Sequence, residues 1–399
     1  MSDNALLRPN RFGIFLPPYN IAGISPNVLL KQAMDLVVHA DEFGLDEAWI
    51  GEHHSGGAEI IGSPEVMLAA LSQVTSNIRL GTGVNSLSYH HPFNLAERLM
   101  LVDQLSKGRA MMGFGPGQLV SDAYMMGVDT NRQREMMAES AEAIVRLING
   151  EIVTMETDWF KLDEARLQVL PYNRRKPFDI VVASVASPSG PRTAGRLGTG
   201  MLTMSVAGAG DSLRSAWSVA ETEAEYAGTT ISRENWRLSN FMHLADSEEQ
   251  ARKDFEYGFA EMWDYLGQIS VIPKADTDDL NEKIDAALET GIIFLGTPDS
   301  AIEYIESLVE ETGGFGCFLM NTNDFASPAA QLRSIELMAE RVAPHFRGQF
   351  DGVDASRDWT LAKRNETGET IWKDQAVNAI ELATKQYEEE VARRAQATS

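Results

Sequence analysis

Residues 78–114 read IRLGTGVNSLSYHHPFNLAERLMLVDQLSKGRAMMGF and contain two short apolar runs separated by a longer amphipathic segment. The runs Ile78–Val84 and Ala110–Phe114 are typical of strands that are buried on both faces. Between them, Pro92–Leu105 has apolar residues at helical spacing and opens with proline, which suits the first turn of a helix. A strand, a helix and a second strand in this order predict one unit of a parallel sheet.

The same alternation extends over most of the chain. Eight strand–helix units favour a closed parallel barrel over an open sheet, so the predicted fold class is α/β, a (β/α)8 barrel within residues 1–346. The predicted strands are Arg11–Leu16, Glu47–Gly51, Ile78–Val84, Ala110–Phe114, Asp179–Ala183, Gly200–Met204, Arg237–Leu244 and Gly316–Met320.

Three segments lie outside these units. Residues 151–178 predict an inserted hairpin with strands at 160–162 and 167–170. Residues 265–295 form a second insertion, in which the polar and charged stretch 274–279 predicts a mobile loop over the barrel mouth. Residues 347–399 form a C-terminal extension with a helix from about residue 371, which could dock on its own barrel or on a partner subunit.

Charge and cysteine content exclude several classes of protein. The 399 residues include 34 basic and 58 acidic side chains, a net charge of −24, and one cysteine. Such a surface repels phosphate backbones and anionic membranes, and one cysteine forms neither an internal disulfide nor a thiolate metal cage. With no signal-peptide pattern at the start and no apolar run of membrane-spanning length, we expect a cytoplasmic protein that binds neither nucleic acid nor membrane.

The loop after the fifth strand has the features of an anion site. Ser187, Ser189 and Gly190 stand before Pro191, at the predicted start of a helix. Free amide groups, small hydroxyls and the helix dipole make such a turn suitable for a phosphate. Arg134, at the start of another helix, could supply the matching positive charge. The alternatives are an ordinary serine cap and a solvated surface arginine.

Histidines follow the second and third strands. His53 and His54 follow Glu52, and His90 and His91 precede a helix. Adjacent residues on an extended segment point in opposite directions, so each pair supplies one inward ligand, and we predict no metal site. A single inward histidine suits a general acid or base, or a hydrogen-bond donor. The alternative is a buried histidine that Glu52 satisfies.

Taken together, these motifs resemble the bacterial luciferase-like family of flavin-dependent monooxygenases, and most closely its limonene 1,2-monooxygenase-like branch. The resemblance covers residues 10–346 and rests on an ordered series of segments. They are RFGIFLPP, FGLDEAWIGEHH, SNIRLGTGVNSLSYHHPFNLAERLMLVDQLSKGRAMMGFGPG, NRQREMMAESAEAIVRLINGE, VVASVASPSGPRTAGRLG, GTPDSAIEYIESL and LMAERVAPHF.

The resemblance implies a TIM-type barrel that binds reduced FMN, with FAD as an alternative, supplied by a separate NAD(P)H:flavin reductase. Oxygen would add to the reduced flavin, and the flavin hydroperoxide would oxygenate a small apolar terpene or alicyclic substrate. Epoxidation, hydroxylation and Baeyer–Villiger insertion all remain open. We also expect a homo-oligomer, most simply a twofold dimer.

The family's functional residues map onto this sequence position by position. The catalytic histidine falls on His53 and the flavin-phosphate arginine on Arg134. The phosphate-binding serine turn falls on Ser189 and Gly190, with Ser187 close by, and the strand end beneath the flavin ring falls on Gly83 and Val84.

Two departures and two rival functions accompany this match. Where the luciferases carry a cysteine and then an arginine after the fourth strand, this chain has Gly115 and Pro116. One phosphate contact must therefore come from elsewhere. The loop after the fifth strand is also two residues longer than in the luciferases. The rivals are a deazaflavin-dependent oxidoreductase on the same fold and a flavin-binding protein without catalysis.

Overall fold

The computed structural model describes residues 6–17, 19–185, 187–206, 208–269 and 277–397, in which strands and helices alternate. The strands are β1 (Arg11–Leu16), β2 (Glu47–Ile50), β3 (Arg79–Ser86), β4 (Ala110–Gly115), β5 (Val153–Glu156), β6 (Lys161–Ala165), β7 (Ile180–Ser184), β8 (Gly200–Met204), β9 (Trp236–Leu244), β10 (Ile293–Gly296) and β11 (Cys317–Asn321). The helices are α1 (Pro26–Glu42), α2 (Pro64–Leu71), α3 (Pro92–Leu105), α4 (Val120–Met126), α5 (Gln133–Ile148), α6 (Ser189–Leu197), α7 (Gly210–Ala227), α8 (Glu248–Asp254), α9 (Phe259–Ile269), α10 (Leu280–Glu289), α11 (Pro298–Thr312), α12 (Pro328–Leu337), α13 (Ala343–Phe346), α14 (Asp351–Thr367) and α15 (Glu369–Ala397).

Eight strands close into the predicted parallel barrel. Their hydrogen-bonded order is β1–β2–β3–β4–β7–β8–β9–β11, and β11 pairs with β1 to complete the ring. The eight predicted strands are all present, with ends within two residues of the predicted ones. Every residue of β2, β4 and β9 is buried, as expected where helices cover the outside and side chains fill the inside.

The amino ends of the barrel strands are joined by buried ion pairs. Arg237, near the start of β9, donates to Glu47 in β2 and to Asp179 just before β7. The indole N–H of Trp49 also donates to Glu47, at 2.9 Å. Burial alone would raise the pKa of Glu47, but the positive charge of Arg237 holds it below its usual value. This network belongs to the end of the barrel opposite the carboxyl ends of the strands.

The first insertion contains a hairpin, but not at the predicted residues. The antiparallel pair is β5 with β6. The predicted strands at 160–162 and 167–170 are therefore misplaced, the second of them entirely. The second predicted strand is wrong because Leu167 is buried in the main core without belonging to a strand. An apolar run at this position therefore reflects burial and not strand pairing.

The second insertion contains α10 and the start of β10. Of the loop predicted to be mobile at 274–279, residues 274–276 lie outside the described part of the chain, while Asp279 caps α10 by accepting the backbone N–H of Glu282 at 3.0 Å. After α10, β10 adds a parallel strand to β9. This is geometrically allowed because β9 is long: its first half pairs with β8 and β11, and its second half leaves an edge free for β10.

The chain divides into two compact units, Met1–Phe346 and Arg347–Ser399. In the second unit α14 packs against α15. The helix expected from about residue 371 is present as part of α15, and the polar segment before it is helical as well. None of the helices in the described ranges is long and apolar enough to cross a membrane.

Candidate active site

A dense group of polar side chains lies at the carboxyl ends of β2 and β3. Glu52, His53 and His54 follow β2 directly, and Asn85 lies in the last part of β3. A short 3-10 turn then leads to His90, which reaches back to Glu52. Functional sites of parallel barrels form at this end, so these residues lie where chemistry is expected.

Glu52 is the centre of this group and is almost fully buried. Nε2 of His90 lies 2.9 Å and Nε2 of His54 3.1 Å from its Oε1, and Asn85 donates to its Oε2 at 3.0 Å. Burial alone would raise the pKa of Glu52, but the hydrogen bonds from the two histidines and from Asn85 lower it to about 2. The hydrogen bond to Glu52 in turn raises the pKa of His54. Glu52 is therefore ionised at neutral pH and orients both imidazoles.

Arg98 determines the tautomer of His90. Its guanidinium donates to Nδ1 of His90 at 3.2 Å, so Nδ1 carries a lone pair and the proton resides on Nε2, facing Glu52. The ligand-type atoms of Glu52, His54 and His90 lie within 4.8 Å of one another, close enough to surround a cation. In this structure the three side chains form a hydrogen-bond network centred on Glu52.

His53 points away from His54 and contacts two carboxylates. Its Nε2 lies 2.7 Å from Oε2 of Glu59, and its Nδ1 lies 3.3 Å from Oδ2 of Asp122. The side chain is 13% exposed. The alternative, a hydrogen bond between His53 and Glu52, is therefore wrong. Glu52 forms hydrogen bonds with His54 and His90 instead.

Asp122 lies in the first turn of α4 and fixes the loop that carries His53. Its Oδ1 accepts the backbone N–H of His54 at 3.2 Å and the hydroxyl of Ser55, while its Oδ2 faces His53. Burial alone would raise the pKa of Asp122, but the contact with His53 and these hydrogen bonds lower it. Asp122 is therefore a carboxylate that holds both the loop and the imidazole in place.

Glu59 and Asp122 are not among the residues that the sequence predicts. Glu59 follows Gly56 and Gly57 in an irregular loop, where no periodic pattern marks a functional side chain. Asp122 lies on a seven-residue helix, too short for a periodic signal. An aspartate near the start of a segment that follows a barrel strand is the one local feature that could have identified it.

Gly83 and Val84 lie within β3 and are joined by a cis peptide bond. A Cβ on Gly83 would lie 2.6 Å from the ring of Phe15 and 3.0 Å from Cβ of Trp49, so glycine alone fits there. Val84 is partly buried against the apolar interior of the barrel, and Gly115 leaves room for it, since a Cβ at that position would clash with its side chain. The glycine that replaces the luciferase cysteine is thus explained by packing.

Ser187, Ser189 and Gly190 lead from β7 into α6. The two hydroxyls lie 2.9 Å apart, and the helix begins after Pro188 without a hydrogen bond from a capping side chain. The serines are therefore not ordinary caps. A Cβ on Gly190 would clash with the carbonyl oxygen of Ala183, so glycine lets α6 begin close against β7. The first amide groups of α6 have no partner within the helix and suit an anion.

Arg134 is the second residue of α5 and is exposed. Among the residues that the structure describes it makes no hydrogen bond or ion pair, whereas the adjacent Arg132 pairs with Asp158 at 2.5 Å. Helix α5 packs against α6, and both helices begin at the carboxyl ends of barrel strands. Arg134 thus lies at the same end of the barrel as the serine turn, with no hydrogen bond joining the two.

A second apolar cluster lies beside the loop of His53. Ala58 brings this loop into the cluster, and the hydroxyl of Tyr265 on α9 donates to the carbonyl of Gly56 in the same loop. The insertion therefore contacts the segment that carries the histidines. The buried members of the cluster are Ala58, Phe241, Phe255, Phe259, Met262, Trp263, Leu266, Ile284, Ala287, Ile293, Phe325 and Ala326.

Comparison with known proteins identifies the family. The family model for luciferase-like monooxygenases matches residues 10–314. The chain is 44% identical over 341 residues to limonene 1,2-monooxygenase of Rhodococcus erythropolis, covering 85% of this chain and 87% of that protein. It is 40% identical to 4-hydroxyprotoasukamycin monooxygenase of Streptomyces nodosus subsp. asukaensis, covering 87% of this chain and 95% of that protein.

Solved structures agree with this assignment. The monooxygenase RslO1 from Streptomyces bottropensis superposes with a TM-score of 0.74 at 25% identity, covering 84% of this chain and 99% of its own. The oxygenating constituent of 3,6-diketocamphane monooxygenase from Pseudomonas putida, solved with FMN, gives 0.69 at 26% identity, covering 85% and 99%. The chain therefore belongs to the luciferase-like monooxygenase family.

Proposed function

We propose that this chain is the oxygenating component of a two-component, flavin-dependent monooxygenase. It would take reduced FMN from a separate NAD(P)H:flavin reductase and use O2 to oxygenate a small apolar molecule of the terpene or alicyclic class. The 44% identity to limonene 1,2-monooxygenase supports the substrate class. The FMN bound in the 3,6-diketocamphane monooxygenase structure supports the choice of cofactor.

The observation that carries the proposal is the arrangement of the open end of the barrel. Three features belong to this end. They are a histidine in contact with two carboxylates, a serine turn whose hydroxyls do not cap the helix, and an arginine without a hydrogen bond or ion pair among the described residues. The first suits proton chemistry, and the other two suit an organic phosphate. A phosphate-bearing cofactor beside a proton donor is what a flavin monooxygenase needs.

The residues present fit FMN. Ser187, Ser189 and the amide of Gly190 would hold the phosphate, and Arg134 would balance its charge. Gly83 and Val84 would lie beneath the flavin ring, where the missing Cβ of Gly83 keeps the surface flat. When bound, the reduced flavin supplies two electrons, one atom of O2 enters the substrate, and the other leaves as water.

The protein's own contribution would be proton control and exclusion of water. His53 is the residue placed to give and receive a proton at the open end of the barrel. The second apolar cluster includes Ala58 of the loop of His53 and would keep bulk water from the reacting groups. An apolar cover of this kind also favours an apolar substrate.

The test combines binding and turnover. Anaerobic titrations would compare reduced FMN, reduced FAD and a reduced deazaflavin. Aerobic incubations with FMN, a flavin reductase and NADH would then use a panel of terpenes and cyclic ketones, with products identified by mass spectrometry. Oxygenated product with FMN supports the proposal. Hydride transfer with the deazaflavin alone would establish the dehydrogenase rival, and flavin binding without oxygen consumption would establish the non-catalytic rival.

A further inference from the structure

Glu59 is a buried carboxylate placed directly against the histidine of the proposed site. It is 5% exposed and follows the glycine pair in the loop after β2. This loop is held from the other side by the segment that follows β1. Asn20 donates its backbone N–H to the carbonyl of Ala58 at 3.0 Å, and Tyr19 forms an antiparallel bridge with Glu59. The carboxylate therefore has a fixed position, although it belongs to an irregular segment.

The two carboxylates at His53 are not equivalent. Asp122 faces Nδ1 at 3.3 Å and is already occupied at its other oxygen by the backbone N–H of His54 and the hydroxyl of Ser55. Glu59 Oε2 faces Nε2 at the shorter distance of 2.7 Å. Within the described residues this buried oxygen forms no hydrogen bond, so its short contact with His53 is an ion pair and not an aligned hydrogen bond. Asp122 thus holds both the loop and the imidazole in place, whereas Oε2 of Glu59 pairs with the imidazole of His53.

We propose that Glu59 is a positioning residue that acts through His53: its carboxylate, 2.7 Å from Nε2, pairs with the imidazole and fixes the orientation of the ring. The inference rests on the proposed function. Asp122 contacts the ring from the Nδ1 side, so that Nε2 remains beside Glu59.

This arrangement holds the imidazole of His53 between two carboxylates, Asp122 on the Nδ1 side and Glu59 on the Nε2 side. The loop of Glu59 also contributes Ala58 to the apolar cluster. A fixed orientation of the imidazole matters for the proposed function, because a general acid or base must lie within hydrogen-bond reach of the reacting atom.

The test compares Glu59→Gln, Glu59→Asp and the control Glu42→Gln, which removes one charge from an exposed position on α1. With flavin, reductase and an accepted substrate, Glu59→Gln should lower kcat for product by about 100-fold, a typical loss for proton-transfer groups. Peroxide should rise correspondingly, while the flavin Kd and the substrate KM stay unchanged. Glu59→Asp, which keeps the carboxylate, should recover part of kcat. Glu42→Gln should match the unmodified protein.

A second readout does not depend on turnover. Nitrogen-15 spectra of histidine-labelled protein, with the His53 signals assigned from a His53→Asn variant, report which ring nitrogen carries the proton. The Nε2 signal of His53 should shift in Glu59→Gln and return toward its original position in Glu59→Asp. Unchanged His53 signals, or normal kcat and coupling in Glu59→Gln, would overturn the inference. If the unmodified protein makes no oxygenated product, the proposed function fails while the spectra still decide the role of Glu59.

Discussion

Arg237 and Glu47 form a two-pronged ion pair at the amino end of the barrel, with Nε 2.8 Å from Oε2 and one terminal guanidinium nitrogen 3.0 Å from Oε1. Both side chains have no exposed surface. The pair joins β9 to β2, two strands that are not neighbours in the sheet. It therefore links two strands that β1 and β11 separate in the ring.

Breaking this pair should destabilise the fold severely. Arg237→Ala leaves Glu47 buried with a weaker set of partners, and removing one member of a buried pair typically costs about 3–5 kcal/mol. The free energy of unfolding, measured in urea, should fall by that amount, with little change for Arg146→Ala on the surface of α5. A loss below about 1 kcal/mol would show that the network is dispensable.

Arg134→Ala should weaken reduced-FMN binding by about 1.5–3 kcal/mol, as expected for a hydrogen bond to a charged group. The reason is its proposed pairing with the flavin phosphate. Anaerobic titration measures the change, and Arg146→Ala at the opposite end of the same helix is the matched control. Riboflavin, which lacks the phosphate, should bind both variants equally. Unaltered FMN affinity in Arg134→Ala would remove this residue from the site.

Replacement of His53 and of His54 should have different consequences. His53→Ala should keep flavin binding but lose most product formation, by about 10²–10⁴-fold, and divert reducing equivalents to hydrogen peroxide. His54→Ala removes a partner of Glu52, so it should lower stability more than coupling. Product and peroxide measured together at saturating flavin distinguish the two. Normal coupling in the His53 variant would show that this residue is structural.

The Glu52–His54 pair predicts a defined pH dependence of stability. The pKa of Glu52 is lowered to about 2, from an unfolded pKa near 4.5. Its carboxylate therefore stabilises the folded protein above about pH 4.5, and this stabilisation is lost as the pH falls toward 2. The pKa of His54 is raised in the folded protein. Protonated His54 therefore stabilises the folded protein below about pH 6.5, and this stabilisation is lost as the pH rises through the folded pKa. The melting temperatures of the unmodified protein and Glu52→Gln should therefore differ most between about pH 4.5 and 6.5. A constant difference from pH 3 to 9 would contradict this.

The exposed apolar side chains of the second unit lead to a prediction of the oligomeric state. Trp372, Val377, Ile380, Tyr387 and Val391 recur at helical spacing on α15, and all are exposed in the single chain. We expect a homodimer in solution, with this helix able to contact the partner. Light scattering at micromolar concentration should give twice the mass of 43.9 kDa. A monomeric mass would contradict the prediction, and a dimer that survives truncation after Phe346 would place the interface elsewhere.

The barrel could be predicted because its signal is local. Strands buried on both faces appear as short apolar runs, and the eight expected ones form the ring. Elements without such a pattern were missed or misplaced. The four residues of β10 and the seven of α4 are too short for periodicity. The hairpin strands were displaced because Leu167 is buried without belonging to a strand.

The same limit applies to the site. His53 could be chosen because it directly follows a strand whose carboxyl end is the functional end of a barrel. The two carboxylates that contact His53 could not be predicted, because Asp122 lies 69 positions away and Glu59 lies in a loop without a periodic pattern. The serine turn was recognisable from composition, but only the three-dimensional arrangement shows that neither hydroxyl caps the helix.

The measurement that tests the proposed activity most directly is isotopic. The protein, FMN, a flavin reductase and NADH would be incubated with limonene or an accepted panel substrate under ¹⁸O2. Mass spectrometry of the product should show one ¹⁸O atom from the gas, absent when the protein, FMN or the reductase is omitted. A product that carries no ¹⁸O, or substrate oxidation that proceeds without O2 in the presence of a deazaflavin, would contradict a flavin-dependent monooxygenase.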